Sequence, residues 1–104
     1  MSAETVGMTF EQALWQAIQD YPTRVRWIDR WRVRRAMRRP EWRLDVEAEA
    51  VQIGVAAGAI LPGNVDPKTG ALVGDWQSFI QMLIDNLPAI LEFIAGLFAI
   101  FAMI

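Results

Sequence analysis

Apolar positions recur at three- and four-residue spacing from residue 75 to residue 104, which is the period of an α-helix. The members of this stripe are Trp76, Phe79, Ile80, Leu83, Ile84, Leu87, Ile90, Leu91, Ile94, Leu97, Phe98 and Phe101. Asp75 suits the N-cap, and Pro88 lacks the amide hydrogen that a helix interior requires. The sequence therefore predicts a long apolar C-terminal helix that kinks near Pro88, or breaks there and restarts with Asn86 as its cap.

This C-terminal helix is long enough to enter a membrane. After the proline, its only charge is Glu92. At about 1.5 Å per residue, the part from Ile80 to the end spans roughly 38 Å and the part from Pro88 roughly 26 Å, against about 30 Å of hydrocarbon. We therefore expect residues 75–104 to form a transmembrane anchor. The alternative is a core helix of a soluble assembly, which the cost of placing Asp85 and Glu92 in lipid favours.

Small residues surround the acid of this helix. Glu92 shares a stripe with Ala95, Gly96 and Ala99, and small residues let two helices approach closely. We predict that these four residues lie at a helix–helix contact, where the carboxyl group is hydrogen-bonded or protonated instead of meeting hydrocarbon. In a soluble assembly the same stripe would face water.

The first half of the chain contains one clear amphipathic helix, from Thr9 to Tyr21. Its apolar stripe consists of Phe10, Ala13, Leu14, Ala17, Ile18 and Tyr21. Thr9 and Gln12 form a capping-box pair, and Pro22 ends the helix. The apolar face must therefore dock on another helix of this chain or on a partner.

Another helix is predicted after Pro40, a residue that suits the first helical turn. Its apolar face consists of Leu44, Ala48, Val51, Val55 and Ala59, and its polar side of Glu41, Asp45, Glu49 and Gln52. Gly54 and Gly58 are four residues apart, which permits close packing of two helices. Residues 62–74 form a connector with a tight turn after Asp66.

Residues 23–39 are ambiguous between strand and helix. Val25, Trp27, Trp31 and Val33 alternate with arginines, which predicts a strand. On a helical wheel, Trp27, Ile28 and Trp31 instead cluster on a side that they share with Arg24, Arg35 and Arg38. Because no partner strand is evident, we predict a helix. The fold is then all-α, with three to four helices: a helical region 1–61 that includes the Arg-rich segment 23–43, and the apolar helix 75–104.

The net charge of −2 hides a strong asymmetry along the chain. Residues 1–23 carry −3, residues 24–43 carry +7, and residues 44–104 carry −6. Nine of the ten basic side chains lie in the middle block, and all nine are arginine. Such a block indicates that one part of the chain faces an anionic surface.

Composition argues against catalysis. There is no histidine, no cysteine and only one lysine, so the usual general base, the nucleophilic thiol and the imidazole and thiolate metal ligands are absent from the sequence. Glu41, Asp45 and Glu49 follow helical spacing, but a solvated helix face explains them. We therefore expect no enzyme activity, no cofactor, no metal site and no small-molecule substrate. Residues 1–7 also lack the pattern of a signal peptide.

The Arg-rich segment is the part of the sequence that says most about possible partners. Arginine pairs with phosphate through a planar fork and stacks on aromatic rings. The candidate contact residues are Arg24, Arg26, Arg30, Arg32, Arg34, Arg35, Arg38, Arg39, Trp27 and Trp31. Three partners fit this chemistry: the surface of an anionic membrane, nucleic acid, or an acidic protein surface such as a neighbouring copy.

Two functions follow from these patterns. The first is a structural subunit anchored in a membrane by its C-terminal helix, within a larger assembly such as a virion or a membrane complex. Its Arg-rich part then lies on the cytoplasmic side or in the particle interior. The second is a soluble, all-helical accessory protein of a shell, a tail or a homo-oligomer, with the last helix buried by neighbouring subunits.

Overall fold

In a computed structural model the chain forms five α-helices among the residues that the structure describes, 9–60 and 76–102, the side chains of 101 and 102 excepted. They are α1 (Phe10–Asp20), α2 (Trp27–Met37), α3 (Pro40–Ala56), α4 (Trp76–Asp85) and α5 (Leu87–Ala102). No strand occurs in this part of the chain, so the all-α prediction is confirmed. The predicted N-cap Asp75 and the connector 62–74 lie outside the described residues.

α1 follows its sequence pattern closely. The amide of Gln12 donates to Thr9 Oγ1 at 3.2 Å, and the amide of Thr9 donates to Gln12 Oε1 at 3.0 Å, so the predicted capping box is present. Tyr21 is extended and precedes Pro22, where the helix has ended. The buried residues are Phe10, Ala13, Leu14, Ala17 and Ile18. This face docks on α4 of the same chain.

Two aromatic rings lie at the contact between α1 and α4. The ring centroids of Phe10 and Phe79 are 6.0 Å apart, within the range of favourable aromatic contacts. α4 buries Phe79, Met82 and Leu83 at three- and four-residue spacing, and its polar side stays exposed. The apolar stripe of α1 is therefore buried against α4, and the stripe of α4 packs on both α1 and α3.

α3 contacts α2, α4 and α5, and its buried stripe differs from the predicted one. The buried residues are Val46, Ala50, Val51 and Gly54. Leu44, which the sequence placed on the apolar face, is 55% exposed, and Ala59 is exposed as well. The prediction was wrong here because a helix with neighbours on several sides is oriented by their fit, and its own hydrophobic periodicity is too weak to set the buried side.

α3 ends in a Schellman motif. The amide of Ala59 donates to the carbonyl of Gly54 at 2.8 Å, and the amide of Gly58 donates to the carbonyl of Val55 at 3.0 Å. Gly58 has a φ of 76°, a conformation that costs other residues about 1 kcal/mol or more. Two residues after Gly58, the side chain of Ile60 packs against Gly54.

The C-terminal stretch is two helices bent by 77°. Of the two predicted alternatives, the break and restart is therefore present. Asn86 separates the helices. Its backbone amide and its side-chain Nδ2 both donate to the carbonyl of Met82, each at 3.0 Å, so this residue closes the last turn of α4. Pro88 lies in the first turn of α5, where a missing amide hydrogen costs no helical bond.

α5 packs against α2 and α3. Leu87, Ile90 and Ile94 are buried in this contact, whereas Ile100 near the C-terminal end is 62% exposed. Within the described residues, no individual helix combines the length and the apolar character that crossing a bilayer demands. Only α4 and α5 taken together reach that length and composition, and they do so as a bent pair.

Candidate anion-binding surface

The middle of the Arg-rich segment folds as a helix. α2 begins at Trp27, and its first turn contains the acid Asp29, while Arg34 and Arg35 lie in its last turn. This order of charges matches the helix dipole, which favours anions at the N-terminus and cations at the C-terminus. Of the predicted contact residues, Arg24 and Arg26 precede the helix and Arg38 and Arg39 follow it.

The inner side of α2 contains a buried carboxylate. Asp29 is the only buried charged residue among those described, and it lies on the same side as Val33, Ala36 and Met37. Arg26 Nε and Nη2 donate to its two oxygens at 3.0 and 3.4 Å, and Arg32 Nη1 lies 3.5 Å from Oδ1. The hydrogen bond and the charge of Asp29 raise the pKa of the Arg26 guanidinium. Asp29 therefore holds two arginines in place.

The outer side of α2 is made of two residue types. Every exposed residue of this helix is arginine or tryptophan, and the exposed C-cap continues the series. We call this surface the Arg/Trp face; it consists of Trp27, Arg30, Trp31, Arg34, Arg35 and Arg38. Its arginines form no ion pair with any residue that the structure describes. The helix thus presents a concentrated positive charge together with large apolar rings.

An aromatic cluster adjoins the Arg/Trp face near the end of α5. The ring of Phe98 lies 5.7 Å from Trp31 and 4.9 Å from Trp42, measured between centroids. The guanidinium of Arg35 lies 5.5 Å from the Trp31 ring centroid, and that of Arg39 lies 4.9 Å from the Trp42 ring centroid. The cation–π contacts orient both guanidinium groups, and the ring contacts of Phe98 connect α2, α3 and α5 at one surface.

A groove of about 380 Å³ opens between the N-terminal part of α2 and α5. We call it the α2–α5 groove; one wall comes from residues 21–32 and the other from residues 88–95. Among the predicted site residues, Arg24, Arg26 and Arg32 line the first wall, and Glu92 and Ala95 line the second. The structure therefore brings Glu92 next to the Arg-rich segment, a proximity that the sequence did not indicate.

The predicted packing residues have different environments. A methyl group on Gly54 would meet Ile60 Cγ1 at 2.9 Å and Met82 Cε at 3.2 Å, so the chain packs tightly against this glycine. A methyl group on Gly58 or Gly96 would meet no described atom within 4 Å. Gly58 is thus a helix-ending residue that has no packing partner among the described residues, and its predicted role in helix packing stays a prediction. Ala99 is exposed, and packing of Gly96 or Ala99 against another subunit stays a prediction.

Among the described residues, no three aspartate or glutamate side chains come close enough together to hold a metal ion.

No protein family matches the sequence, and no curated protein or solved structure is significantly similar to it. Interpretation of the Arg/Trp face and the α2–α5 groove therefore rests on their own chemistry.

Sequence reasoning overlooked Asp29 as an organising residue. It treated this acid only as a small reduction of the positive charge. The available signal was its spacing, because Asp29 lies three residues from both Arg26 and Arg32 and side chains three apart are neighbours on a helix.

Proposed function

We propose that the protein is a non-enzymatic interaction subunit of a larger assembly, and that it binds the anionic surface of a membrane through the Arg/Trp face of α2. One observation carries this proposal: every exposed residue of α2 is arginine or tryptophan. A face that served solubility alone would mix charges of both signs and would not need bulky rings.

The exposure of tryptophan supports lipid as the partner. Trp27 is 74% exposed, so most of its apolar ring gains nothing from the fold of the isolated chain. Tryptophan is enriched where one end of a side chain meets hydrocarbon and the other meets headgroups, and arginine binds the phosphates at that level. Each arginine near an anionic leaflet contributes about 1 kcal/mol.

The apolar surroundings favour lipid over nucleic acid. Ile100 is exposed two residues beyond Phe98, whose ring contacts Trp31 of the Arg/Trp face. An aliphatic side chain gains nothing beside a phosphate backbone, whereas the acyl region of a membrane accepts it. Nucleic acid is therefore an outcome of the test and not the partner that we propose.

The apolar C-terminal pair completes the proposal as the membrane anchor. α4 and α5 together have the length and composition of a span. Insertion would require α4 to leave α1 and α5 to leave α2 and α3, so the fold described here is the form that binds the membrane surface before insertion. By the positive-inside tendency, the Arg/Trp face then lies on the cytoplasmic or particle-interior side.

The second candidate is a soluble accessory subunit. Leu87, Ile90 and Ile94 are already buried by helices of the same chain, which favours a last helix that remains in protein. In this case the Arg/Trp face would bind an acidic protein surface or nucleic acid. Retention of the full-length protein in carbonate-washed membranes is the expected result for the anchored subunit, and a monodisperse protein in plain buffer is the expected result for the soluble one.

Vesicle co-sedimentation tests the surface-binding step. The protein should bind phosphatidylcholine vesicles that contain phosphatidylglycerol, and it should bind pure phosphatidylcholine far more weakly. Arg34→Gln should weaken binding about fivefold, the effect of about 1 kcal/mol, and less at high salt. Arg43→Gln removes the same charge from an exposed position on α3 and should change binding less.

A second matched pair tests the aromatic contribution. Trp27→Ala should weaken vesicle binding, whereas Leu44→Ala, which also removes an exposed apolar side chain, should leave it unchanged.

Two outcomes would contradict the proposal. Equal effects of Arg34→Gln and Arg43→Gln would mean that vesicle binding depends only on the total charge of the protein. Tighter binding to single-stranded nucleic acid than to vesicles would replace the membrane with nucleic acid as the partner.

A further inference from the structure

The α2–α5 groove holds unpaired charges of both signs. Among the described residues, neither Arg24 nor Glu92 forms an ion pair, although both line the same groove. Opposite charges that face one cavity without touching leave room for a ligand that carries an anionic group and a cationic group. A simple anion would satisfy the arginine and be repelled by the carboxylate.

The anionic end of such a ligand would meet an organised cluster. Asp29 fixes Arg26 and Arg32 beside the groove, and each guanidinium has five N–H donors, of which Asp29 engages only some. With Arg24, three guanidinium groups line the wall against one unpaired carboxylate. Planar guanidinium forks are suited to phosphate and carboxylate groups.

The groove also has an apolar side and a connection to the Arg/Trp face. Pro88, Leu91 and Ala95 line the α5 wall. A neighbouring groove of about 480 Å³ shares Arg24, Val25 and Arg26 and is bounded by the exposed Trp27. A surface that docks on the Arg/Trp face would therefore lie close to the entrance, and apolar chains could extend along α5.

We propose that the α2–α5 groove binds the headgroup of phosphatidylserine. The phosphate and the carboxylate of the headgroup lie on Arg24, Arg26 and Arg32, and its ammonium group lies at Glu92. A volume of about 380 Å³ is within the usual range for small-ligand sites. This inference rests on the proposed binding of the Arg/Trp face to the membrane surface, in the form of the protein in which α5 still packs on α2. It adds a lipid preference and assigns Glu92 as the residue that binds the ammonium group.

Two lipids of equal net charge provide the test. Vesicles of phosphatidylcholine receive the same mole fraction of phosphatidylserine or phosphatidylglycerol, and binding is measured by co-sedimentation. We expect phosphatidylserine vesicles to bind about threefold to fivefold more tightly, the size expected of an exposed charge pair. Glu92→Gln should abolish this preference without weakening binding to phosphatidylglycerol. Glu41→Gln, which removes an exposed acid outside the groove, should leave the preference intact.

A lipid-free measurement separates the headgroup from the bilayer. Glycerophosphoserine, titrated into the protein and followed by NMR, should shift the indole resonance of Trp27 and the Arg24 side-chain signals, and glycerophosphoglycerol should shift them less. Equal binding to the two vesicle types, or a preference that survives Glu92→Gln, would overturn the headgroup site but leave membrane binding standing. Binding to neither vesicle type would overturn both.

Discussion

The α1–α4 pair and the α2–α5 pair are both helix contacts, but their outer surfaces differ. α1 and α4 bury their apolar residues and expose glutamine, serine and aspartate. α2 instead buries Val33, Ala36, Met37 and one carboxylate, and it exposes its two tryptophans. Folding alone explains the first arrangement, because every large apolar side chain there removes surface from water. It does not explain the second.

The difference supports the proposal that α2 binds a partner. An exposed tryptophan contributes little to folding, and the four arginines of the Arg/Trp face, which form no ion pair with any described residue, repel each other. A surface with both features is stabilised when an anionic, partly apolar partner covers it. We therefore interpret the α1–α4 pair as the scaffold and the α2–α5 pair as the binding part of the molecule.

Truncating one aromatic residue in each pair provides the largest test of this contrast. Phe79→Ala should lower the free energy of unfolding by about 3 to 5 kcal/mol, because a fully buried ring leaves a cavity between α1 and α4. Trp27→Ala removes a larger ring and should change the same quantity by less than about 0.5 kcal/mol. Urea unfolding followed by circular dichroism measures both. Comparable losses of stability would mean that Trp27 is packed in the free protein and that the two helix pairs do not differ in this respect.

Alanine substitutions at two helical glycines should change the stability of the protein in opposite directions. Gly54→Ala should lower the free energy of unfolding by about 1 kcal/mol. Overpacking against Ile60 and Met82 costs about 1 to 3 kcal/mol, and the better helix propensity of alanine offsets up to about 1 kcal/mol of this cost. Gly96→Ala in α5 meets open space and should stabilise by about 0.5 to 1 kcal/mol. Thermal unfolding distinguishes the signs. Stabilisation by both changes would show that α3 and α4 do not approach closely at Gly54.

The smallest expected effect concerns Glu47, an acid of α3 in a groove beside the start of α1. Burial raises the pKa of Glu47, and the charge of Arg43 partly offsets this rise. Because the folded pKa lies above the unfolded one, the folded state binds the proton more readily. The associated stability is full below the unfolded pKa and is lost as pH rises through the folded pKa.

Glu47→Gln should therefore raise the melting temperature at pH 7, and the gain should shrink as the pH falls toward 4. Glu41→Gln is the matched control, since Glu41 is an exposed acid on the same helix. A pH-independent gain from Glu47→Gln would mean that ionisation of the carboxyl group is not its cause.

Several local features followed from the sequence alone. The sequence predicted the capping box and apolar stripe of α1, an interruption near Pro88 (a kink or a break), and the concentration of arginine and tryptophan in 24–43. Each of these depends on neighbouring residues, whose geometry and chemistry act within one or two helical turns. For the same reason, the sequence could identify the candidate contact residues as a group, although it could not tell which of them share one surface.

The tertiary structure determined which side of each central helix faces inward. On α2 the two tryptophans lie outside and the smaller apolar side chains lie inside. The stripe of Val33 and Ala36 lets α3 and α5 approach, whereas burying the arginines that share the tryptophan side would cost several kcal/mol each. On α3 the contacts with three neighbours rotated the buried stripe away from Leu44. The position of Glu92 and Arg24 in the same groove depends on how α5 packs beside α2, and residues 68 apart in the chain carry no local signal of such proximity.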